Sequence, residues 1–157
     1  MNISSSAGFY AAPACAAYAA SKFALEAISE ALAREVGVFG IRVLLIEPGA
    51  FRTNLNSSMK VPAMNISDYE GTPANELVKA QLVRSGQQPG DPYKGAMKIV
   101  EVATDAAGEL LAKKGRGEVL RVFLGNDCFE AAKANIGKFE ENLNMLEEIA
   151  KSTDFEG

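Results

Sequence analysis

The stretch Ile41-Arg42-Val43-Leu44-Leu45-Ile46, followed by Glu47-Pro48-Gly49, decides the fold class of this chain. Its first six residues are largely apolar and rich in branched side chains, which is typical of a parallel strand covered on both faces. Pro48 and Gly49 end the strand abruptly, because proline lacks an amide hydrogen for the ladder and glycine permits a sharp turn. We therefore expect a buried parallel sheet.

Helices and strands alternate on both sides of this stretch. Apolar residues at intervals of three and four predict an amphipathic helix over about 17–36. Asp91-Pro92 predicts another helix start, since aspartate caps and proline suits the first turn. The predicted elements comprise a strand tail at 1–5, helices at 17–36, about 74–84, from 91 and about 127–151, and strands at 41–46 and 118–124. This alternation predicts an α/β fold, a parallel sheet with flanking helices, in a single domain over 1–157.

Composition limits the classes of function. The chain has 157 residues, of which 48% are hydrophobic and 23% charged, as in one ordinary soluble domain. A formal net charge of −4 and the lack of any basic run disfavour nucleic acid as a partner. Cys15 and Cys128 match no metal-site spacing and are predicted to be unpaired thiols. Histidine is absent, which excludes Ser-His-Asp triads, Cys-His pairs and most catalytic zinc sites.

The N-terminal sequence gives no sign of export or of membrane insertion. No cationic segment precedes an apolar run, as a signal peptide requires. The alanine-rich stretch that follows is too polar and too interrupted to span a membrane. We therefore expect a cytoplasmic protein without a membrane partner.

Tyr18 and Lys22 form a candidate proton-transfer pair. They lie four residues apart at the start of the first predicted helix, so their side chains share a face. A phenol is too weak an acid or base to work alone at neutral pH, and a neighbouring ammonium group stabilises its phenolate. The pair has roughly a one-in-four chance of arising by accident, and an ordinary surface contact explains it as well. Ser5, at the preceding strand end, could donate a hydrogen bond to a substrate oxygen.

Three segments favour a catalytic pair over an accidental surface contact, because they occur in order on the predicted strand, helix and strand end. They are Asn2-Ile3-Ser4-Ser5-Ser6-Ala7-Gly8, Tyr18-Ala19-Ala20-Ser21-Lys22 and Glu47-Pro48-Gly49-Ala50-Phe51-Arg52-Thr53. They resemble the catalytic motifs of classical short-chain dehydrogenases/reductases: an N-I-S-S strand, a Y-x-x-x-K helix whose tyrosine follows the active serine by thirteen residues, and a P-G-x-x-x-T turn. The resemblance covers nearly all of this chain and about the second, catalytic half of the family's, and it implies a Rossmann-like fold.

The resemblance implies a role for each matching residue. Tyr18 is expected to donate a proton in carbonyl reduction and to accept one in alcohol oxidation, and Ser5 to orient the substrate oxygen. Lys22 would also hold the nicotinamide ribose. The implied catalytic residues are Ser5, Tyr18 and Lys22, and the implied cofactor-binding residues are Tyr18, Lys22, Pro48, Gly49, Phe51 and Thr53. The implied cofactor is NAD or NADP, with NADP favoured, and no metal is expected.

The motifs of the other half of that family are absent. The T-G-x-x-x-G-x-G turn that seats the pyrophosphate, the N-N-A-G motif and the tetrad asparagine are missing. Gly115-Arg116-Gly117 lacks a third glycine and precedes a predicted strand. We therefore expect a truncated Rossmann-like fold without the N-terminal βαβ cofactor-binding half, and with an unpaired apolar sheet edge.

The region of about 54–90 falls where the family keeps its substrate lid, and its length and irregular composition are typical of a lid. Met59, Val61, Met64 and Ile66 favour an apolar substrate, although ordinary lid packing explains them equally well. The resemblance also favours a homo-oligomer paired through the Tyr18 helix, whose alanines suit packing against the sheet as well.

Three functions stay open on the sequence alone. The first is an NAD(P)-dependent oxidoreductase that interconverts an alcohol and a carbonyl in a small molecule. The second is a non-catalytic remnant that acts, if at all, by association. The third, a sugar epimerase of the extended family, is disfavoured because no extra substrate domain follows Lys22.

Overall fold

The computed structural model describes residues 1–60, 66–104 and 120–155 of the chain. These residues form a three-stranded parallel sheet in the order β1 (Asn2–Ile3), β2 (Leu45–Pro48) and β3 (Arg121–Leu124). β2 is the middle strand, since Leu45 pairs with Asn2 on one side and with Arg121 on the other. The predicted α/β class with a parallel sheet is confirmed.

The described residues also form four α-helices, each within about one residue of a predicted boundary. They are α1 (Ala16–Val36), α2 (Pro73–Val83), α3 (Pro92–Ala103) and α4 (Asn126–Lys151). Asp91 starts α3 as its sequence predicts, because its carboxylate accepts hydrogen bonds from the Tyr93 and Lys94 amides at 2.9 and 3.2 Å. Short 3-10 turns occur at Ser6–Gly8, Gly37–Phe39, Asn56–Ser58 and Ser67–Tyr69.

The central strand lies later in the chain than its apolar pattern predicts. The prediction was 41–46, whereas the ladder of β2 covers Leu45–Pro48. Val43 and Leu44 are buried all the same. An apolar run indicates burial, whereas a ladder requires paired strands, and the pairs that the structure describes for β2 run from Leu45 to Pro48. The predicted third strand is seen from Arg121, and its residues 118–119 lie outside the described ranges.

The core surrounds β2. Leu45 and Ile46 are completely buried, and Ala19 of α1 and Cys128 of α4 are almost completely buried. A fixed set of polar contacts ties β1 to α1: the Asn2 side-chain amide donates to Ser29 Oγ at 2.8 Å, and that hydroxyl donates to the Leu25 carbonyl at 2.7 Å. These bonds attach the beginning of β1 to the middle of α1.

β1 has a strand partner on one side only within the described residues, and Ile3 is 48% exposed. The lid region contains α2 and two of the 3-10 turns. Val61 and Met64 lie outside the described residues, whereas Met59 is half-buried and Ile66 is exposed. No helix in the described ranges is long and apolar enough to cross a membrane.

We predict that Leu45→Ala lowers the free energy of unfolding by about 3 kcal/mol, because it removes a fully buried side chain from the middle strand and leaves a cavity. Urea unfolding of the intact protein that carries this chain measures the change. Leu143→Ala on α4 is the matched control, since Leu143 is 70% exposed and its loss should alter stability by less than about 0.5 kcal/mol. Equal effects of the two substitutions would contradict the assigned core.

Candidate active site

One cavity of about 600 Å³ is lined by every site residue that the sequence predicts. Ser5 follows β1, Tyr18 and Lys22 lie in the first two turns of α1, and a turn over residues 48–53 follows β2. Parallel pairing places the ends of β1 and β2 at one edge of the sheet, which is where ligands bind in open α/β sheets. The predicted residues that line the cavity are Ser5, Tyr18, Lys22, Pro48, Gly49, Phe51 and Thr53.

Lys22 is held between β1 and Tyr18. Its Nζ donates a hydrogen bond to the Ile3 carbonyl at 3.0 Å and lies 5.7 Å from the centre of the Tyr18 ring. The ammonium group is therefore fixed by backbone at the strand end while it faces the aromatic ring. Tyr18 is 45% exposed, so a ligand in the cavity can reach it.

Ser5 keeps a free hydroxyl hydrogen. Its Oγ accepts a hydrogen bond from the Ala7 amide at 3.2 Å and so caps the short turn that follows. Because a serine hydroxyl is both donor and acceptor, Ser5 can still donate a hydrogen bond to a ligand. Gly8 brings this turn against α1: a Cβ there would lie 2.7 Å from Ser4 Oγ and 2.9 Å from the Glu26 side chain.

Two backbone hydrogen bonds connect the 48–53 turn to the segment that precedes α3. The Arg52 amide donates to the Gly90 carbonyl at 2.9 Å, and the Gly90 amide donates to the Ala50 carbonyl at 3.0 Å. Phe51 lies so close that a Cβ on Gly90 would be 2.8 Å from its ring, and one on Gly95 would be 2.7 Å away. Glycine at these positions therefore allows the Phe51 ring to pack beneath the turn.

The rest of the cavity wall is mainly apolar. The apolar side chains that complete it are Ile3, Leu55, Leu77, Ala96, Ile99 and Leu124. Polar side chains enter from the lid region at Asn56, Gln81, Arg84 and Gln88. The wall is thus mainly apolar, and its polar side chains come both from the predicted site residues and from the lid region.

A family model described as short chain dehydrogenase matches residues 1–62, which include Ser5, Tyr18, Lys22 and the 48–53 turn. The structure is similar to that of a short-chain dehydrogenase from Streptomyces avermitilis, with a TM-score of 0.69 and 35% identity. That match covers 98% of this chain and 51% of the other. The chain belongs to the short-chain dehydrogenase/reductase family. The Rossmann-like fold expected from the motifs is confirmed.

Curated relatives agree with this membership. The chain is 46% identical over 114 residues to an NADPH-dependent 3-dehydrocapnine reductase of Ornithobacterium rhinotracheale, which covers 73% of this chain and 38% of that protein. It is 32% identical over 147 residues to oxidoreductase BOA17 of Botryotinia fuckeliana, with coverage of 93% and 48%. It is 34% identical over 112 residues to the uncharacterized oxidoreductase YusZ of Bacillus subtilis, with coverage of 66% and 38%. The chain therefore spans less than half the length of these relatives.

Behind the site of this family member lies a buried carboxyl cluster that the motifs did not indicate. Glu47 is completely buried and Glu26 is 5% exposed. Arg121 lies 3.0 Å from Glu26, 3.0 Å from Glu30 and 3.6 Å from Glu47. Burial, with the neighbouring Glu26 carboxylate, raises the pKa of Glu47 to about 8, while Arg121 acts in the opposite direction. Ionisable side chains inside the apolar strands β2 and β3, at Glu47 and Arg121, are the sequence signal for this cluster.

Two further residues at the site were missed. Gln88 is 6% exposed, and its Oε1 has no hydrogen-bond partner, although its backbone carbonyl accepts from Arg52 Nε at 3.2 Å. Asp127 accepts a hydrogen bond from the Ala50 amide at 2.7 Å across 77 residues of sequence. A glutamine in a proline-rich loop does not by itself indicate a site. The sequence around Asp127 indicates only the start of a helix.

Glu47 should make stability fall as the pH rises from mildly acidic values to about 8. Its pKa is raised in the folded state, so the native protein keeps a proton that the unfolded chain releases. Between the unfolded pKa and about 8, the free energy of unfolding should therefore decrease with rising pH, by at most about 1.4 kcal/mol per pH unit from this group. Glu47→Gln should remove that slope.

Urea unfolding at several pH values measures this contribution as the difference between wild type and Glu47→Gln. Glu70→Gln is the control, because it removes a carboxylate from an exposed position. A slope that persists unchanged in Glu47→Gln would show that Glu47 does not hold the proton.

Proposed function

We propose that this chain carries the proton-transfer and nicotinamide-binding part of an NAD(P)-dependent oxidoreductase that interconverts an alcohol and a carbonyl. One observation carries the proposal: Ser5, Tyr18, Lys22 and the 48–53 turn come from three separate segments and line one cavity. Membership of the short-chain dehydrogenase/reductase family supports it. Because the chain spans about half of its relatives, the activity belongs to the intact protein that carries it.

The residues present suit the nicotinamide end of the cofactor. Lys22 offers an ammonium group that can donate to ribose hydroxyls, and Thr53 offers a hydroxyl. The backbone around Phe51, together with Pro48 and Gly49, forms the adjoining wall, which can bind the carboxamide. The cofactor, when bound, supplies or accepts the hydride. The relative named NADPH-dependent supports NADP as the cofactor.

Tyr18 and Ser5 perform the proton chemistry in this proposal. During carbonyl reduction the substrate oxygen becomes more negative, and the Tyr18 hydroxyl gives it a proton; in alcohol oxidation Tyr18 takes that proton back. The Lys22 ammonium, fixed by the Ile3 carbonyl, stabilises the phenolate that each reduction leaves. Ser5 donates a hydrogen bond to the same oxygen and so sets the orientation of the substrate.

The substrate is proposed to be apolar beyond its reacting carbon. The cavity that Tyr18 lines would bury a hydrocarbon portion of the substrate, since the cavity wall is mainly apolar. A 3-ketodihydrosphingosine reductase of Bacteroides thetaiotaomicron is 45% identical over 85 residues, covering 54% of this chain and 29% of that protein. Two relatives named as reductases favour the reductive direction.

We predict that Tyr18→Phe lowers turnover of the intact protein by roughly 10²–10⁴-fold, because it removes the proton donor and leaves the ring in place. NADPH oxidation with 3-ketodihydrosphingosine as the first probe substrate measures the loss. Tyr93→Phe removes a phenol hydroxyl from a 75% exposed residue on α3 and should keep full activity. If Tyr18→Phe retains wild-type turnover while NADPH still binds, the assigned role is wrong.

Lys22→Met should weaken NADPH binding by roughly tenfold or more, since it removes a charged hydrogen-bond donor from the cavity. Fluorescence titration of the intact protein with NADPH and with NADH gives both affinities, and NADPH is expected to bind more tightly. Lys133→Met is the control, because Lys133 lies on α4, where its exposed side chain pairs with Glu130 at 3.9 Å and lies 5.7 Å from the centre of the Phe129 ring, and it does not line the cavity. Equal affinity in Lys22→Met and wild type would contradict the cofactor assignment.

A further inference from the structure

The first turn of α4 contacts the end of β2 and the turn that follows it. Asp127 Oδ2 accepts a hydrogen bond from the Ala50 amide at 2.7 Å. On the next residue, the Cys128 thiol donates to the Glu47 carbonyl at 3.1 Å. The start of one helix therefore contacts the chain both before and within the 48–53 turn, although more than 70 residues separate them.

Two glycines make room for the Asp127 carboxylate. A Cβ on Gly49 would lie 2.6 Å from Asp127 Cγ, and a Cβ on Gly125 would lie 2.6 Å from Oδ1. Gly125 also has a φ of +94°, which residues with side chains rarely adopt. The carboxylate thus occupies a notch that only glycine leaves open at both positions.

Hydrogen bonds hold two successive amides of the turn, and Asp127 accepts the second of them. The Gly49 amide donates to the Leu124 carbonyl at 2.8 Å, and the Ala50 amide donates to Asp127. With both amides held, the backbone that continues into Phe51 has little freedom to rotate.

We propose that Asp127 is a positioning residue for cofactor binding: its carboxylate orients the 48–53 turn so that the backbone around Phe51 can bind the nicotinamide carboxamide. This inference rests on the proposed function, because that function assigns the turn to the cofactor. Asp127 acts through Ala50 and contacts neither substrate nor cofactor itself.

A purely structural role makes a different prediction. An acidic residue in the first turn stabilises a helix through the helix dipole, and that effect depends on its negative charge. Asparagine removes the charge but keeps an oxygen that can accept from Ala50. If Asp127 positions the turn, Asp127→Asn should bind NADPH as wild type does and Asp127→Ala should bind it more weakly. If Asp127 acts only through the helix dipole, both variants should lose stability to a similar extent.

The test compares Asp127→Ala, Asp127→Asn and Glu130→Gln in the intact protein that carries this chain. Glu130→Gln removes an exposed carboxylate one helical turn along α4. Amide hydrogen exchange at Ala50, followed by NMR, reports the turn without any need for activity. Titration with NADPH gives the cofactor affinity, and circular dichroism checks folding. If Asp127→Ala does not fold, Asp127→Ser replaces it, since its hydroxyl is one bond too short to reach the amide.

We expect Asp127→Ala to speed exchange at Ala50 and weaken NADPH binding, each by roughly tenfold, with both values near wild type in Asp127→Asn and Glu130→Gln. Unchanged exchange at Ala50 in Asp127→Ala would overturn the inference. Faster exchange with unchanged NADPH affinity would also overturn it, because the turn would then not govern the cofactor. If wild type itself binds no NADPH, the proposed function fails, and exchange at Ala50 still decides whether Asp127 orients the turn.

Discussion

Parallel pairing of β2 with a strand on each side is the constraint on which the rest of this structure depends. Because the strands run in one direction, their carboxyl ends meet at one edge, and residues at or after each strand end line the same cavity. Ser5 follows β1, the 48–53 turn follows β2, and Leu124 ends β3. Leu45 and Ile46 hold this arrangement through complete burial, so the site depends on side chains that never contact a ligand.

Much of the architecture could be predicted from local sequence. The helices obey short-range rules: Asp91-Pro92 supplies a cap and a suitable first residue, and α1 has a repeating apolar pattern. The order of the three motifs also located the predicted site residues, and they do lie around one cavity.

Other features depend on contacts between distant segments, which local patterns do not encode. The apolar run at 41–46 indicates the burial of Val43 to Ile46, but which of these residues join the ladder depends on pairing with distant strands. Asp127 gives no local sign that it contacts Ala50, since an acidic residue near a helix start is common. Gly49 illustrates the difference: the sequence predicts a sharp turn there, and the structure adds that its missing side chain leaves room for Asp127.

The buried carboxyl cluster has a consequence for how this protein can vary. Glu26 and Glu30 lie on α1, the same helix that presents Tyr18 and Lys22, and Arg121 connects them to the sheet. Loss of the arginine alone would leave the buried Glu26 carboxylate without its cation, which is costly in a protein interior. Single substitutions at Glu26, Glu47 or Arg121 should therefore be tolerated poorly during evolution. A related protein that has changed one of these residues should have changed the others as well.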